Sequence, residues 1–299
     1  MKWRQGRRSE NVEDIRGGGG GGLGGYGGGR VVQVGGGGLG CVLVLLLLSM
    51  VLGVDLTPLA GNLGGGQVVV PGEEQPVPNP PAGGASDEAA EFVSVILADT
   101  EDTWGALFAA AGETYTPPKL VLYEDMVQSA CGVNSAATGP FYCPMDQKVY
   151  LDLGFLRELK RLGAPGDFAF AYVIAHEVGH HLQHLMGTDA QVQRLQRQVS
   201  QADANALSVL MELQADCYAG VWANHAQAQR QILEEGDVEE GINAAASVGD
   251  DRLARMAGRS IPRDAFTHGS SQERVTWFNT GWESGDLEAC DTFARAGLR

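Results

Sequence analysis

The run His176-Glu177-Val178-Gly179-His180 constrains this chain more than any other stretch of it. Two histidines four residues apart share a face only if the segment is helical, where both imidazoles can meet one ion. The residues before it (Phe168, Phe170, Ala171, Val173, Ile174 and Ala175) are apolar, so the helix expected over Asp167–Met186 is a buried one. Glu177 projects from an adjacent part of the same surface. It can reach a water at the ion without being a ligand, which is the arrangement that metal-assisted hydrolysis needs. The bland alternative is a solvated polar stripe, because His181 and His184 follow at once.

His184 is excluded as a further ligand by distance. It lies eight residues from His176, about 12 Å along a helix axis. It and His181 are expected at the surface or behind the ligands. The third ligand must come from another segment, and Glu212 in Glu212-Leu213-Gln214-Ala215-Asp216 is the best candidate. Leu210, Met211, Leu213, Ala215, Cys217 and Tyr218 make this a buried helix. A buried carboxylate pair without a cation is costly. Glu212 is therefore expected on the metal, with Asp216 hydrogen-bonding a ligating histidine and fixing its tautomer. Two histidines and one glutamate leave a position for water, as in catalytic rather than structural zinc sites. One Zn²⁺ per chain is expected.

The 299 residues do not all serve one core. Glycine runs at 17–22, 35–38 and 64–66 read as solvated chain. Between Arg30 and Asp55 there is no charged residue, and Cys41–Val54 is almost purely apolar. With its flanks this run reaches roughly 20 residues, enough to cross a bilayer. A cleaved signal peptide fits less well, since the segment before the run is long and no small-x-small site follows. The organisation expected is a flexible cytoplasmic tail over 1–36, a transmembrane anchor over 37–56, a Gly/Pro-rich linker over 57–86 and one domain over 87–299. Residues 1–30 carry six Lys/Arg against three Asp/Glu. The positive-inside rule then puts the N-terminus in the cytoplasm and the domain outside. The net charge of −16 argues against nucleic acid as a partner.

Apart from Cys41 there are four cysteines, an even number that suits two disulfides in an exported domain. Cys131 and Cys143 are close enough for a local staple, which leaves Cys217 and Cys290 to tie the C-terminus to a helix. Four free thiols are the alternative. Helices are expected over Asp87–Ala111, Asp167–Met186, Ala202–Leu233, Asp237–Gly258 and Ser271–Trp282. Strands are expected at Lys119–Tyr123 and Lys148–Leu153, the latter as a sheet edge, with a loop over Ser129–Asp146. The class is α+β, helix-dominated with a small sheet.

Five stretches carry a resemblance: Ser9–Gly17 (SENVEDIRG), Thr138–Asp152 (TGPFYCPMDQKVYLD), His176–Gln183 (HEVGHHLQ), Glu212–Ala219 (ELQADCYA) and Thr267–Phe278 (THGSSQERVTWF). Together they resemble the neutral zinc metallopeptidase family of YpfJ-like bacterial proteins, over nearly the whole chain. The resemblance implies a zincin-type domain behind an N-terminal anchor, at the bacterial inner membrane, and implies no particular substrate. A weaker similarity reaches the HtpX-type membrane heat-shock proteases. They share the order of HExxH, ExxxD and a T-H…R segment, which here is His268 and Arg274. The prolines that follow the histidine in that group are Gly269 and Ser270 here.

These readings together predict a membrane-anchored zinc metallopeptidase. Glu177 is its general base, and His268 is the candidate donor to the oxyanion. Arg274 is the alternative donor or the group that orients the loop. The structural alternatives are a helix-start role for His268 and an internal ion pair for Arg274. The rival functions are a non-proteolytic zinc-binding exported protein and a zinc amidase acting on cell-wall peptides. Nothing in the sequence defines the oligomeric state.

Overall fold

The computed structural model describes residues 1–16, 85–135 and 139–298. The first helix, α1, runs Ala85–Ala110, and the chain then enters a sheet built from strand β1 (Val12–Asp14), β2 (Lys119–Tyr123), β6 (Lys148–Asp152) and β5 (Phe141–Cys143). Their spatial order is β1-β2-β6-β5. β1 and β6 run parallel to β2, and β5 runs antiparallel to β6. The continuous apolar run Leu120–Tyr123 suits a strand covered on both faces, and all four residues are buried. A separate antiparallel hairpin joins β3 (Met126–Ser129) to β4 (Gly132–Ser135). The stretch expected as a loop over Ser129–Asp146 thus holds two short strands, β4 and β5, and the last residue of β3. Its Cys131–Cys143 disulfide is formed.

Lys148–Leu153 is corrected from an edge to an interior strand. β6 is paired on both sides, by β2 and by β5. The edge on that side is β5, which is only three residues long and too short to show alternation.

Helices form the bulk of the domain: α2 (Phe155–Arg161), α3 (Asp167–Leu185), α4 (Thr188–Gln196), α5 (Gln201–Arg230), α6 (Asp237–Ser247), α7 (Asp250–Met256), α8 (Ser271–Ser284) and α9 (Thr292–Arg295). Three of the starts have a chemical cause. The Ser200 hydroxyl accepts from the Asp203 amide at α5. Ser270 and Glu273 form a capping box at α8. At α3 the Glu240 carboxylate lies where a side chain at residue 166 would stand, and accepts from the Phe168 amide, so Gly166 leaves room for it. The single helix expected over Asp237–Gly258 is two. The chain breaks at Gly249, where a Cβ would lie 2.4 Å from the Ser271 amide nitrogen. α3 sits at the centre, packed on α5, α6 and α1, and its residues from Phe168 to Ile174 are all in the core.

The tail expected over 1–36 is corrected for its first sixteen residues. They belong to the same compact unit as 82–299. β1 pairs Val12 with Leu120 and Asp14 with Leu122. Trp3 is buried and meets Phe92 edge to face at 5.3 Å. Arg7 reaches Glu101 and Asp102 on α1, and the Glu13 carboxylate bridges Lys119 and Lys148 at 2.9 and 2.6 Å. Positive charge that suggested a cytoplasmic N-terminus is here matched by acidic residues far along the chain, at Glu88, Glu91, Glu101 and Asp102. The anchor expected over 37–56 and the linker up to residue 84 lie outside the described residues. Among the described residues no helix is long and apolar enough to cross a membrane. The β1–β2 pairing sets one condition: while it exists, residues 1–16 and 85–298 are on the same side of any membrane.

Candidate metal centre and active site

Glycines bring the site together. Gly179, between the two motif histidines, faces Ala215 on α5, and a Cβ there would lie 3.1 Å from the Ala215 Cα and carbonyl oxygen. That close approach sets Glu212, one turn earlier on α5, against the histidines. Farther along, Gly220 of α5 and Gly281 of α8 pack backbone to backbone. A Cβ at either would fall about 2 Å from a carbonyl oxygen of the other helix. α8 therefore lies hard against α5 and carries Arg274 to Asp216.

The three expected ligands converge. His176 Nε2 is 3.2 Å from Glu212 Oε2, and His180 Nε2 is 3.5 Å from Glu212 Oε1. One ligand atom from each residue lies within 4.8 Å of the others. The opposite ring nitrogens are engaged elsewhere. His176 Nδ1 donates to Asp216 Oδ1 at 2.8 Å, as expected of Asp216. His180 Nδ1 is 2.8 Å from Gln183 Oε1. Both tautomers are thereby set with the Nε2 lone pair turned to the common point. Two imidazole nitrogens and a carboxylate facing one point fit a zinc ion.

Charge is arranged around that point. Burial works against ionisation of Glu212, but His180 and His176 overcome it and hold its carboxyl well below the usual range. Burial also opposes a charged His176, yet Asp216 and Glu212 push it up to about 10 while no cation is bound. Arg274 donates to Asp216 from Nε at 2.8 Å and from Nη2 at 2.9 Å, with Tyr172 closing the same cluster. Burial would favour a neutral Asp216, and Arg274 together with His176 more than offsets it. Arg274 thus makes the internal ion pair that was its structural alternative. Its guanidinium is still 3.9 Å from Glu212.

Glu177 is buried, and that burial raises its carboxyl above the ordinary value. It faces a cleft of about 1670 Å³, lined also by His176, His180, Glu212, His268, and Phe141 and Tyr142 of β5. His268 is half exposed on the rim. Asp250 holds its loop by accepting from the amides of Thr267, His268 and Gly269 at 2.8, 2.7 and 3.1 Å. The same carboxylate stands 3.3 Å from His268 Nδ1 and, through that contact, raises the imidazole pKa. His184 bonds to Asp189 at 2.7 Å, away from the ligands. His181 is fully buried, between the Tyr142 hydroxyl and the Thr116 carbonyl. Burial pushes it down to about 4. The Cys217–Cys290 disulfide is present beside Asp216.

Sequence reasoning missed Tyr172, Gln183, Gln214 and Asp250. Tyr172 is four residues before His176 and Gln183 three after His180, so helical spacing alone could have placed both beside the ligands. Asp250 carries no such signal, because its role depends on where the 267–269 loop returns.

Comparison with known proteins agrees with this geometry. A profile of the family described as "Putative neutral zinc metallopeptidase" matches residues 1–293. The uncharacterized protein YpfJ of Escherichia coli K12 is 49% identical over 298 residues, which cover 99% of this chain and 100% of that relative. The uncharacterized protein Rv2575 of Mycobacterium tuberculosis is 39% identical over 223 residues, 71% of this chain and 74% of that protein. No solved structure matches. With the profile covering almost every residue, the chain belongs to the neutral zinc metallopeptidase family.

Proposed function

We propose that this chain hydrolyses peptide bonds, with zinc on His176, His180 and Glu212 and with Glu177 as general base. The observation that carries the reading is the convergence of two imidazole Nε2 atoms and one carboxylate on a point at the floor of an open cleft. Zinc held there supplies Lewis acidity and lowers the pKa of water toward neutrality. Glu177 takes a proton from the attacking water and returns it to the leaving amine. Its burial raises its pKa, which makes it a stronger base for taking that proton. His268 donates to the carbonyl oxygen as negative charge develops. Asp250 favours the doubly protonated ring, which leaves Nε2–H free to donate. An extended substrate pairs with the edge strand β5, whose Phe141 and Tyr142 line the cleft, so recognition is largely through backbone.

The two disulfides support a working compartment outside the reducing cytoplasm. The apolar segment over 37–56 is the proposed membrane tether. With β1 in its sheet, the N-terminal residues share the compartment of the catalytic domain.

The test is Glu177→Gln in purified protein. It should keep one zinc per chain and lose chelator-sensitive cleavage of casein by at least about 100-fold. A parallel incubation with muropeptides separates protein from cell-wall peptide as substrate. Undiminished cleavage in the variant, or a zinc-loaded wild type that cuts neither, overturns the proposal.

A further inference from the structure

The two ligand histidines are held by different means, and both lead to the same covalent link. His176 is oriented by Asp216, whose neighbour in α5 is Cys217. His180 is oriented by a chain of buried amides. Its Nδ1 meets Gln183 Oε1 at 2.8 Å. Gln183 Nε2 donates to the Met211 carbonyl at 2.7 Å and to Gln214 Oε1 at 3.1 Å. Gln214 Nε2 donates to the Cys290 carbonyl at 3.1 Å. Gln183 is 0% and Gln214 3% exposed, so no water competes for these groups.

Connectivity dictates how each amide points. The Gln183 nitrogen has two acceptors before it, so its oxygen must face His180. An oxygen there forces the proton onto His180 Nδ1 and leaves Nε2 free for a cation. Gln214 passes the orientation on: its nitrogen is committed to a carbonyl, so its oxygen faces Gln183. The fixed point at the far end is residue 290, which is bonded through sulfur to the residue beside Asp216.

We propose that Gln183 and Gln214 are positioning residues for the metal centre, and that the Cys217–Cys290 disulfide is the common anchor from which both ligand histidines are oriented. This rests on the reading that His176, His180 and Glu212 bind zinc. Removing an outer partner of a ligating histidine typically weakens metal affinity about 10–100-fold. The disulfide is then part of the metal centre, and its reduction lowers zinc retention.

The experiment measures zinc affinity by chelator competition on full-length protein, independent of catalysis, with cobalt-substituted spectra as a geometric signature. Gln183→Met removes the acceptor from His180 and should weaken zinc about 10–100-fold. Gln183→Glu loses the same donor bonds to Met211 and Gln214 but keeps an oxygen on His180, and should bind at least about tenfold tighter than the Met variant. A purely structural role predicts that Glu is as harmful as Met. The double variant Cys217→Ala/Cys290→Ala should lose affinity by about tenfold or more. The pair Cys131→Ala/Cys143→Ala, outside this chain of hydrogen bonds, should leave it unchanged. Folded Met and Glu variants with equal affinities, or equal effects of the two disulfide removals, overturn the inference while leaving the zinc reading intact. A wild type that takes up no zinc overturns both.

Discussion

Replacing Arg274 by methionine is the sharpest test of how the centre is held. Its guanidinium donates twice to Asp216, and the two side chains are 4% and 0% exposed. The substitution keeps the volume but strands a carboxylate that no water reaches. Breaking such a pair from one side typically costs about 3–5 kcal/mol. His176 also faces Asp216, at 2.8 Å, and with its pKa pushed up to about 10 it retains part of the charge compensation in metal-free protein. The expected loss is therefore at the lower end, about 3 kcal/mol. For a domain of this size that lowers Tm by roughly 6–12 °C. The assay is reversible unfolding with disulfides intact and chelator present, so that bound metal does not add to stability. The same substitution in an Asp216→Asn background, where no charge is left to strand, should cost about 1 kcal/mol. A loss under about 1 kcal/mol in the single variant, or equal losses in the two backgrounds, refutes the argument.

Four further outcomes follow from the geometry. Gly281→Ala would drive a methyl to 1.9 Å from the Cys217 carbonyl oxygen and should cost about 3 kcal/mol, whereas Gly105→Ala in α1, with nothing near, should stabilise by about 0.5–1 kcal/mol; denaturant midpoints compare them. Asp250 has a carboxyl depressed by His268 and by its backbone donors, despite burial, so its contribution is complete above the ordinary carboxylate pKa and lost as pH falls through the depressed value. Asp250→Asn should flatten the acid limb of a stability–pH curve and lower kcat about 10–100-fold with little change in zinc content; an unchanged limb would count against the sign worked here. Trp3→Ala should destabilise by about 3–5 kcal/mol, as no residue of a free tail could, and cysteines placed at the exposed Glu10 and Gln272 should react alike with a membrane-impermeant thiol reagent in cells. Opposite labelling would mean that β1 is not in its sheet there.

The candidate metal centre was legible because its chemistry is local. His176, Glu177 and His180 sit on one helix, and helical spacing alone defines their relation. Glu212 and Asp216 could be paired with them because buried acids require a cation. The Cys131–Cys143 and Cys217–Cys290 pairing followed from counting and closeness, and both bonds exist in the structure. His181 was harder: sequence spacing put it off the ligand face but could not show that Tyr142 and Thr116 bury it.

The sequence by itself determined which residues one helix brings to a common face, since that depends on residue type and a 3.6-residue period. Only the tertiary structure decided the rest. Residues 1–16 read as a tail because a strand of three residues has no visible period and its partners lie more than a hundred residues away. Arg274 could have served substrate or fold until Gly220 and Gly281 set α8 against α5 and gave it to Asp216. Gln183 and Gln214 are ordinary amides in the sequence. Only burial makes each of their hydrogen bonds obligatory, and so lets them orient a ligand.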